Sequence, residues 1–446
     1  MNQTPDTPWA ARFRSLLDKE EIRRQANMAA TPLVSLDALP VDAACVILAR
    51  ELKQVFYPTT QVVDILHSLI ERALGHCLQH YADARTYMDG IYRKDSPLPE
   101  FVPPACLTGL AGVGKSCLAS ALQRILPTDG TVNCPPESVA FPLRSLWKID
   151  VRIQSSVKEI FTPLGGADGS LSDQVSSARK RAYRDGVSLL LADEFQYLTA
   201  SAEANTRIAQ TLIAMGYCGL PAFYIANYSL LYRLLRRPQE DQDRLLSDVV
   251  VMLPDPPESE DWSNTLAAQI GVAPEIFRID PKTDGPQYHR FCAGIKRAAA
   301  RLLVIGYRTA RTERPKEGRT IVTMRDIKAA YESAAFSAHR SDNEIITQQV
   351  ILNRQVDRKR RDLWCPIGQP ENASAKLANE MTLQREIQLA GKIQQAAATR
   401  DERSALADQR ASAGDGPSSA VLNFPRKKRR PTADMLKANA LSLYEP

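Results

Sequence analysis

Residues 109–116 read Gly109-Leu110-Ala111-Gly112-Val113-Gly114-Lys115-Ser116, a complete G-x-x-x-x-G-K-[ST] loop. Backbone N–H groups in such a loop converge on phosphate oxygens at the positive end of a helix dipole, while the lysine and the hydroxyl add an ammonium and a metal ligand. Working outward, Ala105-Cys106-Leu107-Thr108 reads as a short buried strand entering the loop, and Cys117 to Leu126 carries apolar residues at helical spacing after it. Strand, loop and helix in that order are the context the motif needs. The stretch therefore predicts a nucleoside triphosphate site faced by Gly109, Gly112, Val113, Gly114, Lys115, Ser116 and Cys117. Lys115 is expected to reach the β- and γ-phosphates and Ser116 to ligate Mg²⁺.

A binding loop hydrolyses only if a second strand supplies a carboxylate for the metal and something orients water. Residues 187–194, VSLLLADE, meet that need: a continuous apolar run suits a central parallel strand covered on both faces, and it ends in Asp193-Glu194. Asp193 is expected to hold Mg²⁺, and Glu194 to orient or deprotonate the attacking water. A third apolar strand, Ala222 to Ala226, ends at Asn227, a polar tip placed for the γ-phosphate and the lytic water. The following segment carries Arg233, Arg236, Arg237 and Arg244. In ring-forming ATPases an arginine on this stretch reaches a neighbour's phosphates, and Arg244 is the expected one, because it opens an amphipathic turn directly before the strand Val249 to Leu253.

In sequence order these parts resemble an AAA+ ATPase, and more narrowly the TnsC/TniB family of transposition regulators. The resemblance runs over roughly residues 35–340. It rests on FYPTTQVVDILHSLIERAL (Phe56 to Leu74), GLAGVGKS, LLLADEFQYL (Leu189 to Leu198), IANYSLLYRLLRRPQEDQDRLLSD (Ile225 to Asp248), FCAGIKRAAARLLVIGYRTA (Phe291 to Ala310) and TIVTMRDIKAAY (Thr320 to Tyr331). It implies an α/β P-loop NTPase core with a parallel sheet, a helical N-terminal region, a small helical lid and a flexible C-terminal tail. The implied activity is ATP hydrolysis used as a switch, with ATP and Mg²⁺ as cofactors. The implied partners are double-stranded DNA, further copies of the chain in a ring or helical filament, a TnsB/TnsA-like transposase and a TniQ/TnsD-like target selector. Lys296 or Arg297 would act from the lid on the phosphates, Arg297 being carried as the nucleotide contact. Lys148, Arg152, Arg179 and Lys180 would face DNA. The alternative class is a signal-transducing P-loop ATPase of a defence or regulatory system; no internal repeat after residue 340 supports it.

Composition narrows the field further. The 446 residues are long enough for two or three structural units, and eight scattered cysteines without a CxxC pair favour neither a zinc site nor a disulfide framework. No 18-residue apolar run and no leader-like start are visible, so a cytoplasmic protein without a membrane partner is expected. A net charge of +6 is modest, but Arg354, Arg358, Lys359, Arg360 and Arg361 cluster, as do Arg426 to Arg430. Such runs suit phosphate neutralisation without sequence preference. His67, His76 and His80 lack a Cys or carboxylate partner at ligand spacing and read as packed or exposed.

The expected organisation is an N-terminal adaptor arm (1–40), an α/β ATPase core (41–256), a helical lid (257–340), a helical or flexible linker (341–422) and a basic docking peptide (423–446). The long interval between Lys115 and Asp193 implies inserted structure between residues 127 and 185, including one or two strands within 138–153 and a helix from Leu171 to Arg184.

Overall fold

Five short strands form one parallel sheet: β1 (Ala105–Gly109), β4 (Leu146–Asp150), β5 (Leu189–Asp193), β6 (Ala222–Ile225) and β7 (Val249–Met252), in the order β4-β5-β6-β1-β7. The computed structural model describes residues 7–127, 130–134, 140–150, 156–193, 204–314 and 319–368. β1, β5 and β6 are buried along their whole length. Ala105 to Leu107 pair with Phe223 to Ile225 on one side, and Cys106 to Gly109 with Val249 to Met252 on the other. The strand ending in Asp193 is thus one strand removed from the phosphate loop, with β6 between them. Parallel sheets bind ligands beyond the carboxyl ends of such strands, and that is where the loop, Asp193 and Asn227 all fall.

The interval read as an insertion is mostly core. β4 is a full member of the sheet, paired in register with β5 from Leu146↔Leu189 to Asp150↔Asp193. Helices Val157–Gly165 and Leu171–Arg184 return the chain from β4 to β5, each opened by a capping box at Ser156 and Ser170. What lies outside the sheet is the antiparallel ribbon β2 (Gly130–Asn133) and β3 (Ala140–Leu143).

The segment expected as an N-terminal arm is packed. Trp9, Phe13, Leu16 and Ile22 are buried in the main core, and the Trp9 ring stacks on Tyr81 at 5.6 Å. Arg12 donates to the Gly186 carbonyl at 2.7 Å, tying the segment to the entry of β5. Helix Thr60–His80 buries Val62, Val63, Leu66, Leu69, Ile70 and Ala73 in the same core, an apolar stripe at helical spacing.

A second apolar cluster belongs to the lid. It joins Trp262, Leu266, Tyr288, Leu302, Leu303 and Ile327 to Ala44, Cys45, Leu48 and Leu52 of helix Val41–Gln54. That helix was expected within the ATPase core; its apolar face instead lies against the lid helix Lys296–Glu313. Arg308 pairs with Asp42 at 2.8 Å, and Arg311 donates to the carbonyls of Leu36, Asp37 and Leu39. An apolar helix face does not name its partner in the sequence alone. Among the described residues no helix is long and apolar enough to cross a membrane.

Past the lid, helix Ser337–Leu352 and a 3₁₀ turn at Arg361–Leu363 continue as ordered chain. Ile346, Val350, Leu363 and Cys365 form a small third cluster with Leu110 of the phosphate loop, Tyr228 and Ala293. The docking peptide 423–446 and the run Arg426 to Arg430 lie outside the described residues.

Candidate functional site

The turn from β1 into helix Lys115–Ile125 is built on three glycines with positive φ: Gly109 at 155°, Gly112 at 84° and Gly114 at 121°. Two of them are also held by close approach. A Cβ on Gly109 would meet the Met252 carbonyl at 2.4 Å, and one on Gly112 would meet Arg297 Cβ at 2.9 Å and Ile295 at 3.0 Å. The loop is therefore clamped between the end of β7 and the start of the lid helix.

Lys115 is 9% exposed, and its Nζ donates to the carbonyls of Gly109 at 2.7 Å and Leu110 at 2.8 Å. Burial pulls its pKa down to about 8, the Arg297 charge adding to the effect and Asp193 opposing it. An ammonium held by two backbone carbonyls can exchange those weak acceptors for the charged oxygens of an anion. The donor set thus fits a phosphate: an ammonium, the N-terminus of an 11-residue helix, and a glycine cradle. Val113 is fully buried beneath the loop, and Ser116 and Cys117 stand exposed on the first turn of the helix. Asp193 closes β5, 7% exposed. A carboxylate, a hydroxyl and phosphate oxygens are the hard donors Mg²⁺ takes, so Asp193 and Ser116 fit that ion. Glu194 lies outside the described residues.

Asn227 follows β6 and caps helix Tyr228–Leu234, its Oδ1 accepting from the Leu230 N–H at 3.0 Å. The cap fixes the side chain at the tip of the strand lying between the loop strand and the Asp193 strand.

Both lid cations stand beside the loop, Lys296 Cδ 3.7 Å from where a Cβ on Gly114 would be, but they have different partners. Lys296 pairs at 3.2 Å with Asp255, which is 6% exposed. Burial raises the Asp255 pKa, and Lys296 counteracts it. Arg297 instead donates its backbone N–H to the Gly112 carbonyl at 3.1 Å and stands beside the loop, where its charge is felt at Lys115. Asp255 is a residue sequence reasoning passed over; it lies at the boundary drawn between the core (41–256) and the lid (257–340).

Arg244 lies elsewhere. It pairs with Glu240 at 2.8 Å, 44% exposed, with its guanidinium 5.9 Å from the centre of the Phe101 ring. Phe101 precedes β1 and Arg244 precedes β7, so this arginine sits at the end of the sheet opposite its own phosphate loop.

The four residues expected to face DNA diverge. Lys148 is exposed on the edge strand β4, and Lys180 is exposed on helix Leu171–Arg184. Arg152 lies outside the described residues. Arg179 is turned inward, its guanidinium donating to the Leu98 carbonyl and packing beside Gly219. Its work in this structure is to hold the loop before β1, because residues 179 and 180 point to different sides of one helix.

Sheet order, phosphate loop and Asp193 together define a P-loop nucleoside triphosphate-binding fold of the α/β class. No protein-family model matches the chain, and no curated protein matches it. Among solved structures it is similar to the ORC2 protein of Aeropyrum pernix in ADPNP and ADP complexes, at 15% identity over 61% of this chain and 72% of that chain, with a TM-score of 0.35. It is similar to the ORC1 protein of the same organism in complex with DNA, at 17% identity over 61% and 68% with a TM-score of 0.32. The Walker-type ATPase PABY2304 of Pyrococcus abyssi matches at 14% identity over 67% and 88%, with a TM-score of 0.34. These likenesses are too distant to carry a function across.

Proposed function

We propose that the chain is an AAA+ ATPase of the TnsC type, a regulator of DNA transposition that assembles on double-stranded DNA in its ATP state, connects a target selector to a transposase, and is reset by hydrolysis. The observation that carries the ATP-dependent assembly is the division of cations about the sheet. Lys115 and Arg297 surround the chain's own loop, whereas Arg244 stands at the far end. An arginine so placed serves a neighbour's phosphates, which makes the interface head-to-tail, and such interfaces close into rings or continue as filaments.

In this reading Gly109, Gly112, Val113, Gly114, Lys115, Ser116 and Cys117 hold ATP, with Ser116 and Asp193 holding Mg²⁺. Bound there, the metal would neutralise charge developing on the phosphates. Glu194 orients water, Asn227 fixes its position, and Arg297 reports the phosphate state to the lid. The experiment is electron microscopy of the purified full chain with duplex DNA and a non-hydrolysable ATP analogue, repeated with Glu194→Gln and Lys115→Ala. Assemblies are expected for the wild type and for Glu194→Gln and are expected to vanish for Lys115→Ala. Equal behaviour of the two variants would sink the switch.

A further inference from the structure

On the flank of the sheet, away from the phosphate loop, helix Ala84–Ile91 and the loop after it meet helices Val157–Gly165 and Leu171–Arg184 around an open pocket of about 420 Å³. Four cations line it, Arg93, Lys180, Arg181 and Arg184, and no carboxylate does. Behind its wall Asp185, its side chain 2% exposed, takes Arg184 at 2.9 Å and Arg181 at 3.4 Å, and the charges of Asp83 and Asp89 are felt at Tyr183. The charged groups of the lining itself are all positive, and a concave wall of one sign focuses the field on whatever enters.

The wall is also stiff. Arg181 donates to the Pro163 carbonyl at 3.1 Å and lies over the Trp147 ring. Tyr87 donates its hydroxyl to the Arg184 carbonyl, and Tyr183, on the same turn, is buried against Tyr81 and Tyr87. Arg93 and Lys180 are both exposed, one on the loop after helix Ala84–Ile91 and one on helix Leu171–Arg184. Like charges held on a fixed wall repel one another, and an anion relieves the repulsion.

We propose that this pocket seats phosphate groups of a nucleic-acid backbone and is an anchor separate from the nucleotide site. The inference deepens the DNA-binding reading above and rests on it. Of the four residues only Lys180 was expected to face DNA. A backbone fits better than a small free anion, because the cations are spread around a wide mouth instead of converging on one point.

The test uses the full chain and the double variant Arg93→Ser/Lys180→Ser, whose sites are exposed; thermal melting checks that the variant is folded. A fluorescent duplex of arbitrary sequence is titrated by anisotropy with a non-hydrolysable ATP analogue present, across about 50 to 200 mM salt, and inorganic triphosphate is titrated separately. The variant is expected to lose roughly tenfold in duplex affinity at low salt, and its log–log salt slope to fall by about two. Wild-type affinity and slope in a folded variant would overturn the pocket while leaving DNA binding standing. Pocket-dependent binding of triphosphate without any effect on duplex would overturn the nucleic-acid assignment. A wild type that binds no duplex in any condition would overturn the transposition reading itself, and the pocket with it.

Discussion

The sheet core and the helical lid each bury a lysine beside the phosphate loop, and they do so in opposite ways. In the core, Lys115 is satisfied by the carbonyls of Gly109 and Leu110, neutral acceptors that an anion can outbid. In the lid, Lys296 is committed to Asp255, a buried carboxylate whose own ionised form depends on that lysine. Two basic residues near one loop are therefore not two versions of one function. The partner decides: a cation on neutral acceptors is poised for a ligand, and a cation on a buried carboxylate holds the fold.

The strongest way to break this contrast is to remove the lid lysine. Lys296→Met leaves Asp255 buried without its counter-charge, and breaking a buried pair from one side costs about 3–5 kcal/mol. Chemical denaturation is expected to show that loss, and the double variant Lys296→Met/Asp255→Asn to recover most of it. A Lys296→Met protein as stable as wild type but unable to bind ATP would reverse the assignment and make Lys296 the phosphate contact.

Lys115→Ala is expected to give the complementary result. Each charge-assisted hydrogen bond to phosphate is worth roughly 1.5–3 kcal/mol, so ATP affinity measured by calorimetry should fall at least a hundredfold, while the denaturation midpoint hardly moves. The thermodynamic reason is that burial already disfavours the charged form of Lys115 in the folded chain, holding its pKa at about 8. Arg297→Ala should lie between the two, lowering ATP affinity by about tenfold, the order of one modest charge-assisted contact, without destabilising the protein. Loss of stability in Arg297→Ala would show that it, too, is structural.

These contrasts also mark what could be read without coordinates. The loop, β5, β6 and helix Leu171–Arg184 were legible because each depends on neighbours within a few residues: glycines for positive φ, apolar runs for central strands, Ser170 with Asp173 for a capped start. Lys296 and Arg297 were not separable, since both reach the loop and only the surroundings say which of them is tied to a carboxylate. Arg179 and Lys180, adjacent on a helix, face different directions that only the surroundings define. Helix Val41–Gln54 was assigned to the ATPase core, and its choice of the lid over the sheet rests on contacts more than 200 residues away in sequence, such as Arg308 with Asp42. The third cluster, joining Leu110 to Leu363 and Cys365, had no sequence signal, because isolated apolar residues in a charged stretch carry no period.

The smallest expected effect compares the two regions by acid. Each buries a neutral histidine: His76 in the sheet core, held down to about 3 by burial, with His80 and Arg12 adding to it, and His289 in the lid, held down to about 4 by burial despite the Asp255 carbonyl at 2.9 Å. In the unfolded chain both titrate near the ordinary value of about 6.5. Above that pH neither state takes a proton and stability is full; below it the unfolded chain binds a proton that the folded chain refuses. Stability is therefore lost as pH falls from about 6.5 towards 4 for the lid and towards 3 for the core, at up to about 1.4 kcal/mol per pH unit for each histidine. His76 also carries a buried Nε2 without a hydrogen-bond partner, so His76→Leu removes both a titrating group and an unsatisfied one. Equilibrium denaturation between pH 7 and 5 is expected to show a shallower acid slope for His76→Leu than for wild type. If core and lid unfold as separate cooperative units, that change will appear in one transition and leave the other, where His289 titrates, as it was. A slope unchanged by the substitution would mean that His76 already meets water in the folded state, and that the sheet core opens more readily behind helix Thr60–His80 than the lid does around Trp262.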